Sequence, residues 1–255
     1  MAAEDFTPIE AYEKSTFSAE LASGATITHD VYERGEGPPI VLIQELPGIG
    51  VETLRLADKL IDSGLSVVMP HLFGPIGRIA MGGNLLRVFC MRREFSVFAS
   101  KRTSPVVEWL RALCSAVRED RAVRGVGVIG QCLTGNFAIS LMADDSVLAG
   151  VSAQPAMPFH KPSALHMSDA DVEEIRAALS EKGPMYAYRC ESDKLSPAVK
   201  HQAIDVAFND DAERIRLRTL PCDGHSVFTL DYVDESGHPT YEALQEIIEY
   251  FHDQL

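Results

Sequence analysis

Closely spaced cysteine pairs are absent from this sequence. The chain of 255 residues has five cysteines and no Cys-x-x-Cys motif; they are Cys90, Cys114, Cys132, Cys190 and Cys222. Disulfide-rich folds and zinc sites need cysteines at short, regular spacings. The pattern therefore predicts reduced thiols in a cytoplasmic protein. His160 and His166 have no cysteine or carboxylate cluster nearby in the sequence, so no metal is predicted.

Long hydrophobic runs are also missing. The most apolar stretch, residues 126–143, is interrupted by Gln131, Thr134 and Asn136. A transmembrane helix needs about 20 consecutive apolar residues. The first residues, MAAEDFTPIEAYEKS, are acidic and lack the apolar core of a signal peptide. We therefore expect a soluble protein that has no membrane partner.

Basic residues are fewer than acidic residues. Lysine and arginine total 23 against 37 acidic residues, which gives a net charge of −14. Nucleic-acid binding needs a basic face, so a general nucleic-acid binder is excluded. Residues 78–111 are an exception, with seven basic side chains and two glutamates. This segment is either a solvated helical face or a clamp for an anionic substrate.

Short apolar runs alternate with amphipathic segments of helical length. The predicted strands cover residues 25–34, 38–46, 65–70, 125–130, 149–156, 184–190 and 215–221. The predicted helices cover residues 52–64, 104–117, 132–142, 170–181, 196–208 and 240–255. This alternation predicts an α/β fold with a mostly parallel sheet and helices on both faces. Without a linker or repeat, residues 1–255 are expected to form a single domain.

Residues 71–103 interrupt this alternation. They include Gly74, Gly77, Gly82 and Gly83 and show little clean periodicity. Long irregular insertions in compact domains are often lids or binding loops. We therefore expect this insertion to lie near the active site.

The sequence GVGVIG, residues 125–130, matches the dinucleotide-binding pattern G-x-G-x-x-G. That motif requires the glycines in the turn after a strand and an acidic residue at the end of the next strand. Here the glycines run through the strand itself, and the next strand, GVSAQPA, has no acidic residue. No nucleotide cofactor is predicted.

The next residues, GQCLTG (130–135), place a cysteine between a strand and a helix with glycines on either side. This spacing is typical of a nucleophile elbow, although position 134 is threonine where the usual motif has glycine. The N-terminus of the following helix favours a thiolate at Cys132. The alternative is that Cys132 is a buried structural cysteine.

Two further residues follow in the order expected for a catalytic triad. Asp193 comes after the strand PMYAYRC, and His225 comes after the strand IRLRTLP. Taken alone, either residue is as readily a solvated loop residue. The carboxyl ends of parallel strands meet at one edge of the sheet, so the fold would gather both side chains near Cys132.

The chain resembles the dienelactone hydrolase family of α/β-hydrolases, in which the nucleophile is a cysteine. The resemblance covers about residues 26–252, and its most specific segments are IQELPGI, GQCLTG, SDKLSP and GHSVF. It implies a triad of Cys132, Asp193 and His225. It also implies an oxyanion hole formed by the backbone N–H groups of Leu46 and Leu133, with no cofactor or metal.

The same resemblance assigns roles to Glu45 and to one arginine. The family's matching glutamate contacts the nucleophile's thiol and controls its ionisation; otherwise Glu45 would be a carboxylate reaching solvent at a strand end. Dienelactone-cleaving members bind the substrate carboxylate with two arginines. Arg92 or Arg93 could be the first, but Thr229 occupies the position of the second. The dienelactone substrate itself is therefore not indicated.

The sequence thus predicts a cysteine-dependent hydrolase of small, carboxylate-bearing esters or lactones. The natural substrate is not indicated. The alternative from a different class is a non-hydrolytic redox-sensing or ligand-binding protein that uses a reactive Cys132. A sensor needs a resolving thiol, and the sequence does not place Cys90 or Cys190 near Cys132. The oligomeric state is not indicated.

Overall fold

The computed structural model describes residues 6–46, 48–74, 76, 104–156, 162–165 and 167–255. Its central feature is an eight-stranded sheet with the order β1-β2-β4-β3-β5-β6-β7-β8. The strands are β1 (Glu13–Glu20), β2 (Thr26–Arg34), β3 (Pro39–Ile43), β4 (Ser66–His71), β5 (Val126–Gln131), β6 (Val147–Ala153), β7 (Met185–Cys190) and β8 (Ile215–Leu220). Strand β2 pairs antiparallel with β1 and β4, and the remaining pairs are parallel.

Helices cover both faces of the sheet. In the described part of the chain they are α1 (Val51–Asp62), α2 (Pro105–Asp120), α3 (Gly135–Leu141), α4 (Asp169–Lys182), α5 (Ala198–Phe208) and α6 (Pro239–Gln254). One apolar core lies between the sheet and α1 and α6, and a second lies between the sheet and α2 to α5. The predicted α/β fold is confirmed. None of the helices described is long and apolar enough to cross a membrane.

The first strand was not predicted. Strand β1 is an edge strand, and most of its residues are exposed, with only Ala19 buried. It pairs along its whole length with β2, from Glu13 opposite Glu33 to Glu20 opposite Thr26. A polar strand at a sheet edge lacks the apolar alternation that identifies a half-buried strand.

The expectation of five reduced thiols is wrong for two of them. Cys190, at the end of β7, forms a disulfide with Cys222, which follows β8. The two residues are 32 positions apart in sequence, but β7 and β8 are parallel neighbours with Cys190 opposite Leu220. The sheet register therefore brings together two cysteines whose spacing in sequence indicated no pairing. Cys114 and Cys132 are free and buried.

The parallel part of the sheet determines where the functional residues lie. Strands β3, β5, β7 and β8 run in the same direction, and Ile43 at the end of β3 pairs with Gly130 near the end of β5. The loops that follow these strands consequently meet at one edge. They carry Glu45, Cys132, Asp193 and His225.

Candidate active site

Cys132 lies in a sharp turn between β5 and α3. It opens a short 3-10 turn, Cys132–Thr134, which leads directly into the helix. Its φ angle is 55°, in the left-handed region that side chains other than glycine rarely adopt. Such strain is typical of a nucleophile elbow, where it lifts the reactive atom above the strand. The side chain is buried, with 6% of its surface exposed.

Close backbone packing explains the glycines around this turn. A Cβ atom on Gly130 would lie 2.2 Å from the carbonyl oxygen of Thr134, and one on Gly135 would lie 3.0 Å from that of Ala153. The first approach forbids any side chain at position 130 without movement of the backbone. The pattern G-x-C-x-x-G is therefore a packing requirement of the elbow.

Thr134 stands where the usual motif has glycine, and its hydroxyl holds the turn together. The oxygen accepts a hydrogen bond from the Gln131 N–H at 2.8 Å. The same hydroxyl can donate to the carbonyl oxygen of Gln131, Ile43 or Gln44, which lie 2.9–3.3 Å away. Thr134 thus ties the elbow to the end of β3.

Asp193 is oriented by backbone groups on one side and by His225 on the other. Its Oδ1 atom accepts hydrogen bonds from the N–H groups of Leu195 and Ser196, at 2.8 and 2.9 Å. Its Oδ2 atom accepts from His225 Nδ1 at 2.8 Å. The buried Arg189 guanidinium fixes the same loop by donating to the carbonyl oxygens of Ser196 and Glu191. The carboxylate therefore has little freedom to rotate.

The ionisation of His225 depends on both of its neighbours. Burial alone would lower the pKa of the imidazole, but the Asp193 hydrogen bond and the interaction with Cys132 outweigh it and raise the pKa to about 10. The second nitrogen, Nε2, makes no hydrogen bond of good geometry to a described residue. Contacts between nucleophile and base are often loose before substrate binds. Cys132, His225 and Asp193 therefore lie together, with Cys132 and Asp193 both acting on the ring.

The backbone of the His225 loop is held by Asp231. One carboxylate oxygen accepts the N–H groups of His225 and Ser226, at 2.7 and 2.8 Å. A Cβ atom on Gly224 would lie 2.2 Å from the Asp231 carboxyl carbon, and Gly224 has a φ of 101°. Glycine is required at position 224 because the carboxylate occupies the space of a side chain. Asp231 was not predicted from the sequence, because a single aspartate in a loop belongs to no recognisable motif.

Glu45 is buried at the same edge, and only 3% of its surface is exposed. Its carboxylate accepts hydrogen bonds from the hydroxyls of Ser226 and Thr229. Burial raises the pKa of this carboxyl, and the two hydroxyls and His225 oppose that rise. Within the described residues its hydrogen bonds go to this loop rather than to Cys132. The alternative of a carboxylate reaching solvent is wrong, and Thr229 is engaged with Glu45.

The other predicted site residues divide into two groups. Leu46 follows β3 and Leu133 follows Cys132, and Thr134 links these two segments, so both lie beside the elbow. Arg92, Arg93, His160 and His166 fall outside the described residues, as does most of the insertion 71–103. Among the residues that are described, no cluster of side chains could hold a metal ion.

Comparison with solved structures finds the same fold in several hydrolases. A Klebsiella pneumoniae protein assigned as a dienelactone hydrolase is 14% identical, with a TM-score of 0.63 over 94% of this chain and 99% of that one. An esterase from Pyrococcus furiosus is 12% identical, with a TM-score of 0.61 and coverage of 96% and 93%. A dienelactone hydrolase-like promiscuous phosphotriesterase from metagenomic libraries is 13% identical, with a TM-score of 0.63 and coverage of 94% and 98%. None of the curated protein sequences matches this chain.

The sheet order, the elbow after β5 and the loops gathered at one edge define an α/β-hydrolase. The sequence profile of the dienelactone hydrolase family matches residues 26–255, and this chain belongs to that family. The family resemblance expected from the sequence is confirmed. Membership makes the protein a carboxylic ester hydrolase with a small-molecule ester or lactone as substrate.

Proposed function

We propose that the protein hydrolyses small esters or lactones through a Cys132-His225-Asp193 triad and an acyl-enzyme thioester. The observation that carries the proposal is the 2.8 Å hydrogen bond between His225 Nδ1 and Asp193 Oδ2, beside a cysteine in a strained elbow. A nucleophile, a base and a group that orients the base are the three parts of such a triad. No cofactor or metal takes part in the proposed reaction.

The proposed reaction begins with transfer of the Cys132 proton to His225. The thiolate attacks the substrate carbonyl, and the N–H groups of Leu46 and Leu133 bind the oxyanion, at about 2.7–4 kcal/mol of transition-state stabilisation per donor. The raised pKa of His225 stabilises the imidazolium once the ring has taken this proton, and the imidazolium then protonates the leaving oxygen. Neutral His225 then activates the water that hydrolyses the thioester.

Glu45 adjusts this proton transfer in the proposal. Its carboxylate opposes a thiolate at Cys132 by like-charge repulsion, as the family resemblance implies. Its hydrogen bonds to Ser226 and Thr229 connect it to the loop that carries His225. Glu45 thus acts on the nucleophile by its charge and on the base through this loop.

Recognition of a substrate carboxylate rests on Arg92 or Arg93 in the proposal. The position of the family's second arginine is Thr229, whose hydroxyl donates to Glu45. One arginine favours a monoanionic ester or lactone over a substrate that needs two charged contacts. The proposal also includes a cytoplasmic location. Thiol reductants are present in that compartment and can reduce a disulfide such as Cys190–Cys222.

The alternative of a redox sensor is less well supported. Cys190, one of the two cysteines considered as its resolving thiol, is bonded to Cys222, and Cys90 lies outside the described residues. Family membership favours hydrolysis.

A test of the proposal combines a neutral aryl ester, a carboxylate-bearing lactone and iodoacetamide. The protein is expected to hydrolyse both substrates and to lose both activities as one equivalent of carbamidomethyl group appears at Cys132. Cys114 is the internal reference, since it is buried and burial raises the pKa of its thiol. Full activity after complete modification of Cys132 would contradict the proposal.

A further inference from the structure

The Cys190–Cys222 bridge lies beside the residues of the proposed triad. Cys190 ends β7, and Asp193 follows three residues later. Cys222 follows β8, and His225 comes three residues after it. The Cα atoms of the two cysteines are 5.1 Å apart. The bridge therefore joins the loop that carries Asp193 to the loop that carries His225.

Two connections close these loops into one small ring. The disulfide forms one connection, and the hydrogen bond between His225 Nδ1 and Asp193 Oδ2 forms the other. Each loop runs three positions from its cysteine to its triad residue, from Cys190 to Asp193 and from Cys222 to His225. A ring of this size restricts how far His225 can move away from Asp193 while the disulfide is intact.

The two loops differ in how firmly they are held without the bridge. The Asp193 loop has the Arg189 hydrogen bonds and the two N–H groups bound to Asp193 Oδ1. The segment from Pro221 to Gly224 is exposed or half-buried. Its hydrogen bond to the other loop, from the Ser192 hydroxyl to the Cys222 carbonyl, is long at 3.5 Å. The disulfide is the strong connection on this side of His225.

We propose that the Cys190–Cys222 bridge positions His225 against Asp193, and that opening the bridge with a dithiol reductant slows hydrolysis. The inference rests on the proposed function, because it assigns the bridge an effect on the triad. The side of His225 toward α6 stays fixed by Asp231 and Glu45. Reduction therefore loosens the imidazole without releasing the whole loop.

The redox step is an ordinary thiol–disulfide exchange. A thiolate of the reductant attacks the sulfur of half-buried Cys222, the S–S bond breaks, and Cys190 leaves as a thiolate that takes up a proton. The reductant's second thiol then displaces Cys222, which also becomes a thiol. Two electrons and two protons pass to the protein, and the reductant becomes its own disulfide.

The experiment compares the oxidised protein with the same protein treated with dithiothreitol, the state of the bridge being read from intact mass. We expect kcat for a neutral aryl ester to fall about 10-fold on reduction, because a small misplacement of a catalytic group is enough for such a loss. KM should change less than twofold. A merely structural bridge would lower stability but would not reduce kcat at a temperature where the protein stays folded.

Two variants control this comparison. The double variant Cys190→Ser, Cys222→Ser should have the kcat of the reduced protein and should not lose activity with dithiothreitol. Cys114→Ser removes the buried free cysteine of α2 and should respond to the reductant as the unaltered protein does. If dithiothreitol acted instead by reducing an oxidised Cys132, activity would rise rather than fall. That rise would also be seen in the double variant, which still contains Cys132.

Three results would overturn the inference. The first is an unchanged kcat in protein whose bridge has opened. The second is a fall in KM and kcat together by the same factor. The third is Cys190 and Cys222 that stay free when the protein is treated with an oxidised dithiol. If the double variant does not fold, reversible reduction and reoxidation of the unaltered protein decides the matter. Activity that survives Cys132→Ala would instead reject the proposed function, whatever the state of the bridge.

Discussion

Cys132→Ala is expected to abolish ester hydrolysis, with a loss of kcat on the order of 10⁶-fold, as when the nucleophile of other triads is removed. Alanine cannot form the acyl-enzyme, so only the oxyanion N–H groups and substrate binding remain. The fold should persist, because alanine is small and apolar and adopts the φ of 55° at the same cost as cysteine.

The measurement is steady-state hydrolysis of an aryl ester, accompanied by circular dichroism to verify folding. Cys114→Ala is the matched control, since Cys114 is also buried and free but lies on α2. Its kcat should stay within about twofold of that of the unaltered protein. Equal activities of the two variants would remove Cys132 from the mechanism.

Asp193→Asn is expected to lower kcat about 10⁴-fold, as the corresponding change does in other triads. The geometry gives the reason. Oδ1 accepts two backbone N–H groups, so the amide oxygen of asparagine takes that place. The amide NH₂ then faces His225 Nδ1 and forces that nitrogen to act as an acceptor. The ring adopts the wrong tautomer and cannot take the Cys132 proton at Nε2.

The pH dependence of kcat/KM tests the same variant independently. Burial lowers the pKa of His225, and the bond to Asp193 is the first of the interactions that raise it to about 10. In the unaltered protein, activity should decline above about pH 10 as the imidazolium loses its proton. In Asp193→Asn this decline should move to lower pH. Asp223→Asn, which changes an exposed residue of the His225 loop, should leave the profile unchanged.

The sequence predicted the elements that carry strong local signals. Strands β3 to β8 and the longer helices have apolar runs that can be recognised locally, and the elbow has glycines that its packing requires. The chain order of Cys132, Asp193 and His225 indicated a shared site, because the carboxyl ends of parallel strands lie at one edge of the sheet. The proximity of these three residues could therefore be predicted from the sequence.

The features that were missed depend on which segments become neighbours in space. Strand β1 is polar and is defined by its pairing with β2. The Cys190–Cys222 bridge depends on the register of β7 and β8, and the spacing of the two cysteines in the sequence does not indicate it. The bonds from Ser226 and Thr229 to Glu45 span more than 180 positions. Single polar residues of this kind have no local pattern by which they could be recognised.

The most direct test of the central claim is to identify the residue that becomes acylated. The protein is mixed with an activated ester whose acyl group leaves slowly, quenched in acid within the first turnover, and digested for mass spectrometry. The account predicts one acyl group on the peptide that contains Cys132, removed by hydroxylamine as a thioester should be, and absent from Cys132→Ala. A stable acyl group on another residue, or turnover with no acylated Cys132, would contradict it.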